Sequence, residues 1–447
     1  TSSWWSTYEI SLDEGIELGK ALLVANGFHI YRDIWNDQPP LFSHAIAFLE
    51  VFELGSVASA RTLVLLCSCL LLRSLFRIVR REHGSFAAWM VVLLLAGSSK
   101  YGQLSVPVLA GLPAISLTVI ALDVSTSANR TANRILAGVL FGLSMQVKLF
   151  TVVIAPALFL GVFLFRDCRI DWALLRRYLE VGTSILATYL LVIWIIDIPV
   201  LEQVWQPNFA EELRLNHSYS TSFLAVVNQI FADFPVIILA AMGTWWMLSR
   251  RKWIVAVPLL WFIIAFVSLV SHTPVWWHHV LLLEIPLAWL AGVFVAQLPI
   301  HFWQATSLDK RLFRVALIVA AAGLISYRAP ISIGDESNYV ATNALAKQAR
   351  NHKGWVLSDR PMDAYRAGLL VPPELVVFSG KRRRAGNLTT ADILTSIKKR
   401  IPAQVLLRRF EINPEVRGLL QKAYKKVPNS ADLEHYVLTN PERILSN

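Results

Sequence analysis

Apolar positions fall into two kinds of pattern, and these divide the chain into three parts. From about residue 57 to residue 327, long apolar runs follow one another with brief polar breaks. Windows of roughly 17–25 apolar residues predict spans at 57–77, 86–105, 106–123, 133–148, 149–166, 178–199, 234–249, 253–271, 278–298 and 311–327. Residues 1–56 read differently. In "SLDEGIELGKALLVANG", Leu12, Ile16 and Leu23 recur at helical spacing, and Asn26-Gly27 is a good helix stop. Pro39-Pro40 then enforces extended chain before a second amphipathic helix, of the kind that lies along a membrane surface. After Tyr327 the long runs end. "GWVLSD", "ELVVFS", "QVLLRRF" and "HYVLTN" read as short strands, with helical patterns in "TTADILTSIKKR" and "NPEVRGLLQKAY" between them. The expected organisation is a first loop with interfacial helices (1–56), a helical membrane core (57–327) and a small α/β domain (328–447).

Composition agrees with a membrane protein carrying a polar appendage. The chain is 55% hydrophobic and 16% charged, against about 25% charged for soluble domains. Charge also orients it. Arg77, Arg80 and Arg81, then Arg130 and Arg134, then Arg166, Arg169, Arg176 and Arg177, then Arg250, Arg251 and Lys252, then Lys310, Arg311 and Arg314 occupy alternate loops. By the positive-inside rule those loops are cytoplasmic. Residues 1–56, the loops at 200–222 and 272–277 and the domain from 328 are then extracytoplasmic, in a plasma (inner) membrane protein. Thr1 is preceded by no span, so a further upstream span is expected. The last domain holds 20 Lys and Arg against 11 Asp and Glu, most of the net charge of +11. Its densest run, Lys381 to Arg384, suits anionic lipid headgroups or phosphorylated acceptors, or is simply a solvated turn. A nucleic-acid partner does not fit the location. The three cysteines, Cys67, Cys69 and Cys168, have no disulfide or zinc spacing.

The chemistry concentrates in the outer loops. Ser11 and Glu14 have the spacing of a capping box, in which each side chain bonds the other's backbone N–H. Asp13 sits in the first turn, where the helix dipole favours an anion. Neighbours on a helix point about 100° apart, so if Glu14 caps, Asp13 is free to face a cleft. Lys148 stands at the outer end of a span, where it either snorkels or meets an anion. Arg214 and His217 lie on the large outer loop, and His278 and His279 follow two tryptophans at a helix start. Glu284 lies deeper in that span, where an ionisable residue is a functional candidate.

The first loop, with "DEG" followed by Tyr31 and "PPLF", resembles that of GT-C glycosyltransferases, in particular the family 39-like branch of protein O-mannosyltransferases and lipid A aminoarabinose transferases. "AGVLFGLSMQVKLF" (137–150), "PVWWHHVLLLEIPLAWLAG" (274–292) and "VLSDRPMDAYRAGLLVPPELVVFSGKRR" (356–383) are similar to later segments of that branch. The resemblance implies a polytopic GT-C fold and a polyprenyl-phosphate-sugar donor. It implies transfer to an extracytoplasmic lipid, glycan or protein acceptor with inversion. Asp13, with Glu14 beside it, would be the catalytic acid pair and Asp13 the general base. Lys148, Arg214, His217, His278 and His279 would be the candidates to meet the donor phosphate, with Glu284 as a further acid. Family members often carry another acid before a proline where this chain has Gly111. That leaves a divalent metal open, and no nucleotide cofactor is expected. A transporter or flippase of lipid-linked sugars and a catalytically inert scaffold remain as alternatives.

Overall fold

The computed structural model describes residues 7–127, 130–164, 171–196, 203–204, 219–271, 275–304, 337–411, 413–428 and 433–445. Arg214, His217, Cys168 and the expected span at 311–327 lie outside them. Helix α1 (Leu12–Ala25) ends at Asn26, and Gly27 follows at φ +86°, as the stop signal predicts. Helix α2 (Leu41–Val51) begins directly after the double proline. It buries Phe42, Ile46 and Ala47 and leaves Phe48, Val51 and Phe52 exposed, the distribution of a helix with one face on protein and one on lipid.

Helix α3 (Val57–Gly97) is two limbs joined at Gly84, whose φ of 83° and ψ of 172° are not helical. The limbs fold back on each other. Phe76 and Trp89 would be about 20 Å apart on a straight helix, yet their rings meet at 4.9 Å. Ser68 and the Tyr101 hydroxyl, further along the two arms, are hydrogen-bonded at 2.7 Å. The arginines of this turn are tied to the next helix: Arg81 bonds Asp123 and Thr126, and Arg77 reaches Asp123 at 3.3 Å.

The second expected span, 86–105, is shorter than its apolar run. It ends at Gly97, and α4 (Ser99–Leu104) is separate. The third expected span, 106–123, starts only at Gly111, as α5 (Gly111–Ser127); Pro107 disfavours helix at Val106, and residues 108–110 lead into α5 as non-helical chain. Next come α6 (Thr131–Val147), a 3-10 turn at Leu149–Ile154, α7 (Ala155–Leu164) and α8 (Trp172–Ile195). Helices α6 and α8 pack closely through Gly138 and Gly142. A Cβ on Gly138 would lie 2.5 Å from the Val181 carbonyl oxygen. Small residues four apart permit such an approach between membrane helices.

By length and composition, four described helices can cross a membrane: Val57–Gly97, Trp172–Ile195, Trp253–Ser271 and Trp277–Leu298. Thr221–Phe231 and Phe234–Ser249, which meet at 88°, make a fifth if they form one broken span. The other apolar helices are shorter. Trp277–Leu298 is the central one, 94% of its apolar window being buried.

Beyond the membrane helices the chain forms a smaller domain at one end of the helical core, named the outer domain for that position alone, which begins in the described residues with the helix Ser337–Ala349. Its sheet has the order β1 (Val356–Ser358), β2 (Gln404–Leu407), β4 (Glu434–Leu438), β3 (Tyr424–Lys426). Strands β1 and β2 are parallel and the other pairs antiparallel. Three of the four expected strands are present. "ELVVFS" is not a strand: residues 374–379 run as turn and extended chain, with Val377 and Phe378 buried outside the sheet. An apolar run satisfies a core without pairing its backbone. Strand β3, two of whose three residues are exposed, left no apolar signal. Both predicted helices form, at Thr390–Arg400 and Pro414–Ala423.

Gly84 occupies a backbone region nearly closed to other residues. Gly84→Ala is expected to destabilise the hairpin by about 1–3 kcal/mol, read as a lower thermal unfolding midpoint of the purified protein in detergent.

Candidate active site

Helix α1 has three working faces. A Cβ on Gly15 would sit 2.5 Å from the Met362 backbone nitrogen, and one on Gly19 2.7 Å from a Val376 methyl. This face is therefore pressed against the outer domain. A second face turns Glu14 toward the membrane core. The third, with Asp13, Ile16, Glu17 and Lys20, lines a cavity of about 810 Å³.

The capping box does not form. The Ser11 hydroxyl accepts the Asp13 N–H at 3.4 Å, while the Glu14 N–H goes to the Ser11 carbonyl. The Glu14 carboxylate is claimed elsewhere. It accepts Arg61 Nε at 3.0 Å, Arg61 Nη2 at 2.8 Å, the Ile10 N–H at 2.6 Å and the Val108 N–H at 3.0 Å. Both side chains of the pair are completely buried. Arg61 Nη1 also donates to the Thr7 carbonyl at 2.7 Å. An ion pair with a long-range partner wins over a local cap because a buried guanidinium needs a counter-charge. Arg61 lies four residues into an apolar run, and a charge at that depth was the available signal for it.

Asp13 is exposed to the cavity but hemmed in by protein. Burial pushes its carboxyl above the usual range, and the nearby Lys148 ammonium pulls the other way. Lys148 stands in the break between α6 and the 3-10 turn. Burial brings its ammonium down to about 8, against the pull of Asp13, Asp37 and Glu17. Lys148 Nζ is 3.3 Å from His278 Nε2 and 5.2 Å from the centre of the Phe150 ring. A charged Lys148 donates to His278 only if that ring is neutral, with its proton on Nδ1. His279 stacks on Phe150 with ring centres 5.6 Å apart, and Trp276 and Trp277 complete that wall.

The first loop and the outer domain supply the rest. Asp37 is salt-bridged to Lys381 at 2.8 Å. Burial opposes its charge, but Lys381, together with Lys20 and Lys148, holds the carboxyl below its usual range. Glu17 accepts Lys20 at 2.8 Å and Ser43 at 3.1 Å. Arg409 lines the cavity from the loop after β2. That loop is shaped by Asp359, at the end of β1, whose carboxylate accepts the backbone N–H groups of Arg408, Arg409 and Phe410 at 3.0, 2.7 and 2.9 Å.

Four of the expected site residues thus line one cavity: Asp13, Lys148, His278 and His279. Glu14 lies behind α1, outside the lining. Glu284 does not reach the cavity either. It accepts the Ser98 hydroxyl at 2.8 Å and has Asp233 and Lys100 as charged neighbours, rather than a histidine or Lys148. Gly111 begins α5, and a Cβ there would meet nothing within 4 Å, so space does not exclude the missing acid. Among the described residues, no group of three or more His, Cys, Asp or Glu side chains is placed to hold a metal. Asp37, Glu17, Lys20 and Arg409 carried no recognisable motif, and only the fold collects them.

Residues 37–196 match the family model described as dolichyl-phosphate-mannose-protein mannosyltransferase. This segment, 160 of the 447 residues, is similar to the protein O-mannosyltransferase family of GT-C glycosyltransferases. Its fold is similar to that of ArnT from Cupriavidus metallidurans. The TM-score is 0.64 in the apo state at 14% identity, and 0.66 with undecaprenyl phosphate bound at 13% identity. Both alignments cover 97% of this chain and 95% of that one. It is also similar to the apo oligosaccharyltransferase of Archaeoglobus fulgidus, at TM-score 0.50 and 12% identity over 91% of this chain and 66% of that one. No curated protein matches the chain in sequence.

Glu14→Gln is expected to behave as a broken buried ion pair, with a loss of about 3–5 kcal/mol. Adding Arg61→Met should restore much of it, because no uncompensated charge then remains. Thermal unfolding of the single and double variants in detergent measures both.

Proposed function

We propose that the chain transfers a sugar from a polyprenyl-phosphate donor to a hydroxyl-bearing acceptor at the extracytoplasmic face, with inversion. The observation that carries this reading is one cavity lined both by the exposed carboxylate of Asp13 and by the Lys148–His278 pair. A hydroxyl is a weak nucleophile and needs a base within hydrogen-bond reach. Asp13 takes the proton of the acceptor hydroxyl as its oxygen bonds to the anomeric carbon. The bond from that carbon to the phosphate oxygen breaks on the opposite face, and its electron pair leaves with the lipid phosphate. Lys148 meets the charge that develops there, and neutral His278 holds Lys148 in place. The Phe150–His279 stack forms an apolar wall beside Lys148.

Two observations support the side and the donor. The Arg77–Arg81 turn packs on Asp123 and Thr126 at the far end of α5, while Leu109 and Ala110, just before α5, line the cavity. Arginine-rich turn and cavity thus lie about 22 Å apart along one helix, on opposite sides of the membrane if the turn is cytoplasmic. ArnT, which shares the fold, was captured with undecaprenyl phosphate. Glu14 serves this chemistry indirectly, by fixing the helix that carries Asp13.

The test offers purified protein, with an envelope extract as acceptor, a radiolabelled sugar on polyprenyl phosphate or on a nucleotide. Transfer from the lipid-linked form is expected, and transfer from the nucleotide form alone would overturn the proposal. Asp13→Asn should lower transfer by about 10²–10⁴-fold while donor binding persists. The pH dependence has two limbs. The raised Asp13 pKa means that the base is lost on acidification at a higher pH than for an ordinary aspartate. Above about 8 the Lys148 ammonium is lost, so transfer should fall as pH rises through that value. Lys148→Arg, which stays charged, should carry the alkaline limb beyond that range in the pH–rate profile.

A further inference from the structure

The run Lys381–Arg384 is divided among three tasks. Lys381 reaches Asp37 in the first cavity. Arg382 is buried and donates to the carbonyls of Asn387 at 3.0 Å and Glu374 at 2.7 Å, which makes it a strut of the outer domain. Arg383 and Arg384 are exposed and face neither task. They line a second cavity of about 490 Å³ in the outer domain.

This cavity has the features of a built site. Its floor is apolar, with Leu357 and Leu407 from the ends of β1 and β2 and the rings of Phe378 and Phe410. It opens beyond the carboxyl ends of two parallel strands, where open α/β sheets hold ligands. Among the described residues, no hydrogen bond or ion pair engages the side chain of Arg383 or Arg384. Arg383 lies over the Phe410 ring at 4.6 Å, which orients it without neutralising it. The one carboxylate on the lining is Glu411, so the cations outnumber it. Two guanidiniums above an apolar floor fit a phosphate or carboxylate borne on a body with an apolar face.

The two cavities are neighbours. Gly380 lines both, and the wall between them alternates its side chains. Val377 and Ser379 face the first and Phe378 the second. Arg409 faces the first and Phe410 the second. Near this wall the outer domain is pinned to the first loop. Arg366 donates to the Tyr8 carbonyl at 2.7 Å, the Tyr365 hydroxyl to Glu50 at 2.6 Å, and Arg382 lies 4.7 Å over the Trp35 ring.

We infer that the second cavity is an anion subsite for the acceptor, in which Arg383 and Arg384 bind a phosphate or carboxylate while another part of the same molecule presents its hydroxyl to Asp13. The acceptor link rests on the proposed transfer reaction. The anion site itself does not.

The experiment has two arms, both on the full chain in nanodiscs of neutral lipid. In the first, N-acetylglucosamine 1-phosphate and N-acetylglucosamine are titrated against wild type, Arg383→Gln/Arg384→Gln and Lys422→Gln/Lys425→Gln. The last pair removes two exposed charges of the same domain away from both cavities. Binding of the phosphorylated probe should weaken about ten- to a hundredfold in the arginine variant alone, with partial recovery in Arg383→Lys/Arg384→Lys. Equal affinity in all proteins would overturn the anion site. In the second arm, transfer is followed against increasing envelope extract. The arginine variant should raise the half-saturating amount of extract about tenfold or more, without changing that of the donor. Phosphatase treatment or carboxyl esterification of the extract then tells a phosphate from a carboxylate. An altered probe affinity with an unchanged extract dependence would leave an anion site and overturn its acceptor role. If wild type transfers nothing, the transfer reading and the acceptor role fall together, and the first arm still decides the anion site.

Discussion

The buried pair of Glu14 and Arg61 is the contact on which the arrangement of the cavity depends. It joins the first helix of the outer loop to the first membrane helix, and through Val108 to the segment that leads into α5. An ion pair out of contact with water is weak evidence of net stability, but breaking it strands a charge. It therefore acts mainly as a registry device. With Glu14 facing the core, the 100° step along the helix turns Asp13 to the cavity, while Gly15 and Gly19 let the outer domain close on the remaining side. Asp13 is presented by a helix clamped on two faces rather than by a mobile loop.

The outer domain completes the cavity from above. The ends of β1 and β2 lead into loops, and Asp359 gathers three successive backbone N–H groups of one of them. That fixes the direction in which Arg409 and Phe410 point. Lys381, held to Asp37, closes the gap between the two parts. The site thus draws its carboxylates from the first loop and its cations from the first loop (Lys20), the membrane core (Lys148) and the outer domain (Lys381 and Arg409). Separating the outer domain would remove Lys381 and Arg409 together.

Charge distribution follows the same division. Glu9, buried beside Arg360 at the seam between first loop and outer domain, has its carboxyl pushed up to about 7 by burial, against the pull of Arg360. The seam is consequently held by groups that tolerate little water. In the cavity, by contrast, Asp13 remains open to solvent and to substrate.

Much of the fold was legible in the chain itself. Apolar run length predicts membrane helices, the double proline and Asn26-Gly27 mark the first-loop helices, and short apolar runs mark three of the four strands. These are local properties, set by backbone sterics and by the length needed to cross a bilayer. Asp13, Lys148, His278 and His279 were legible as ionisable groups at one face. The partner of Glu14 was not, because Ser11 at the right spacing offered a local cap that competes on equal terms until a buried arginine 47 residues away takes the carboxylate. Nor was the extended course of "ELVVFS", since an apolar run is satisfied equally by a sheet or by a wall between cavities. The run Lys381–Arg384 reads as one basic patch, yet the helical turn at Gly380–Arg384 sends its members to a cavity, a strut and a second cavity. The sequence alone determined which segments are helical or apolar. Only the tertiary structure decided which charges meet, because a charge chooses its partner by distance and burial, and neither is set until remote segments pack.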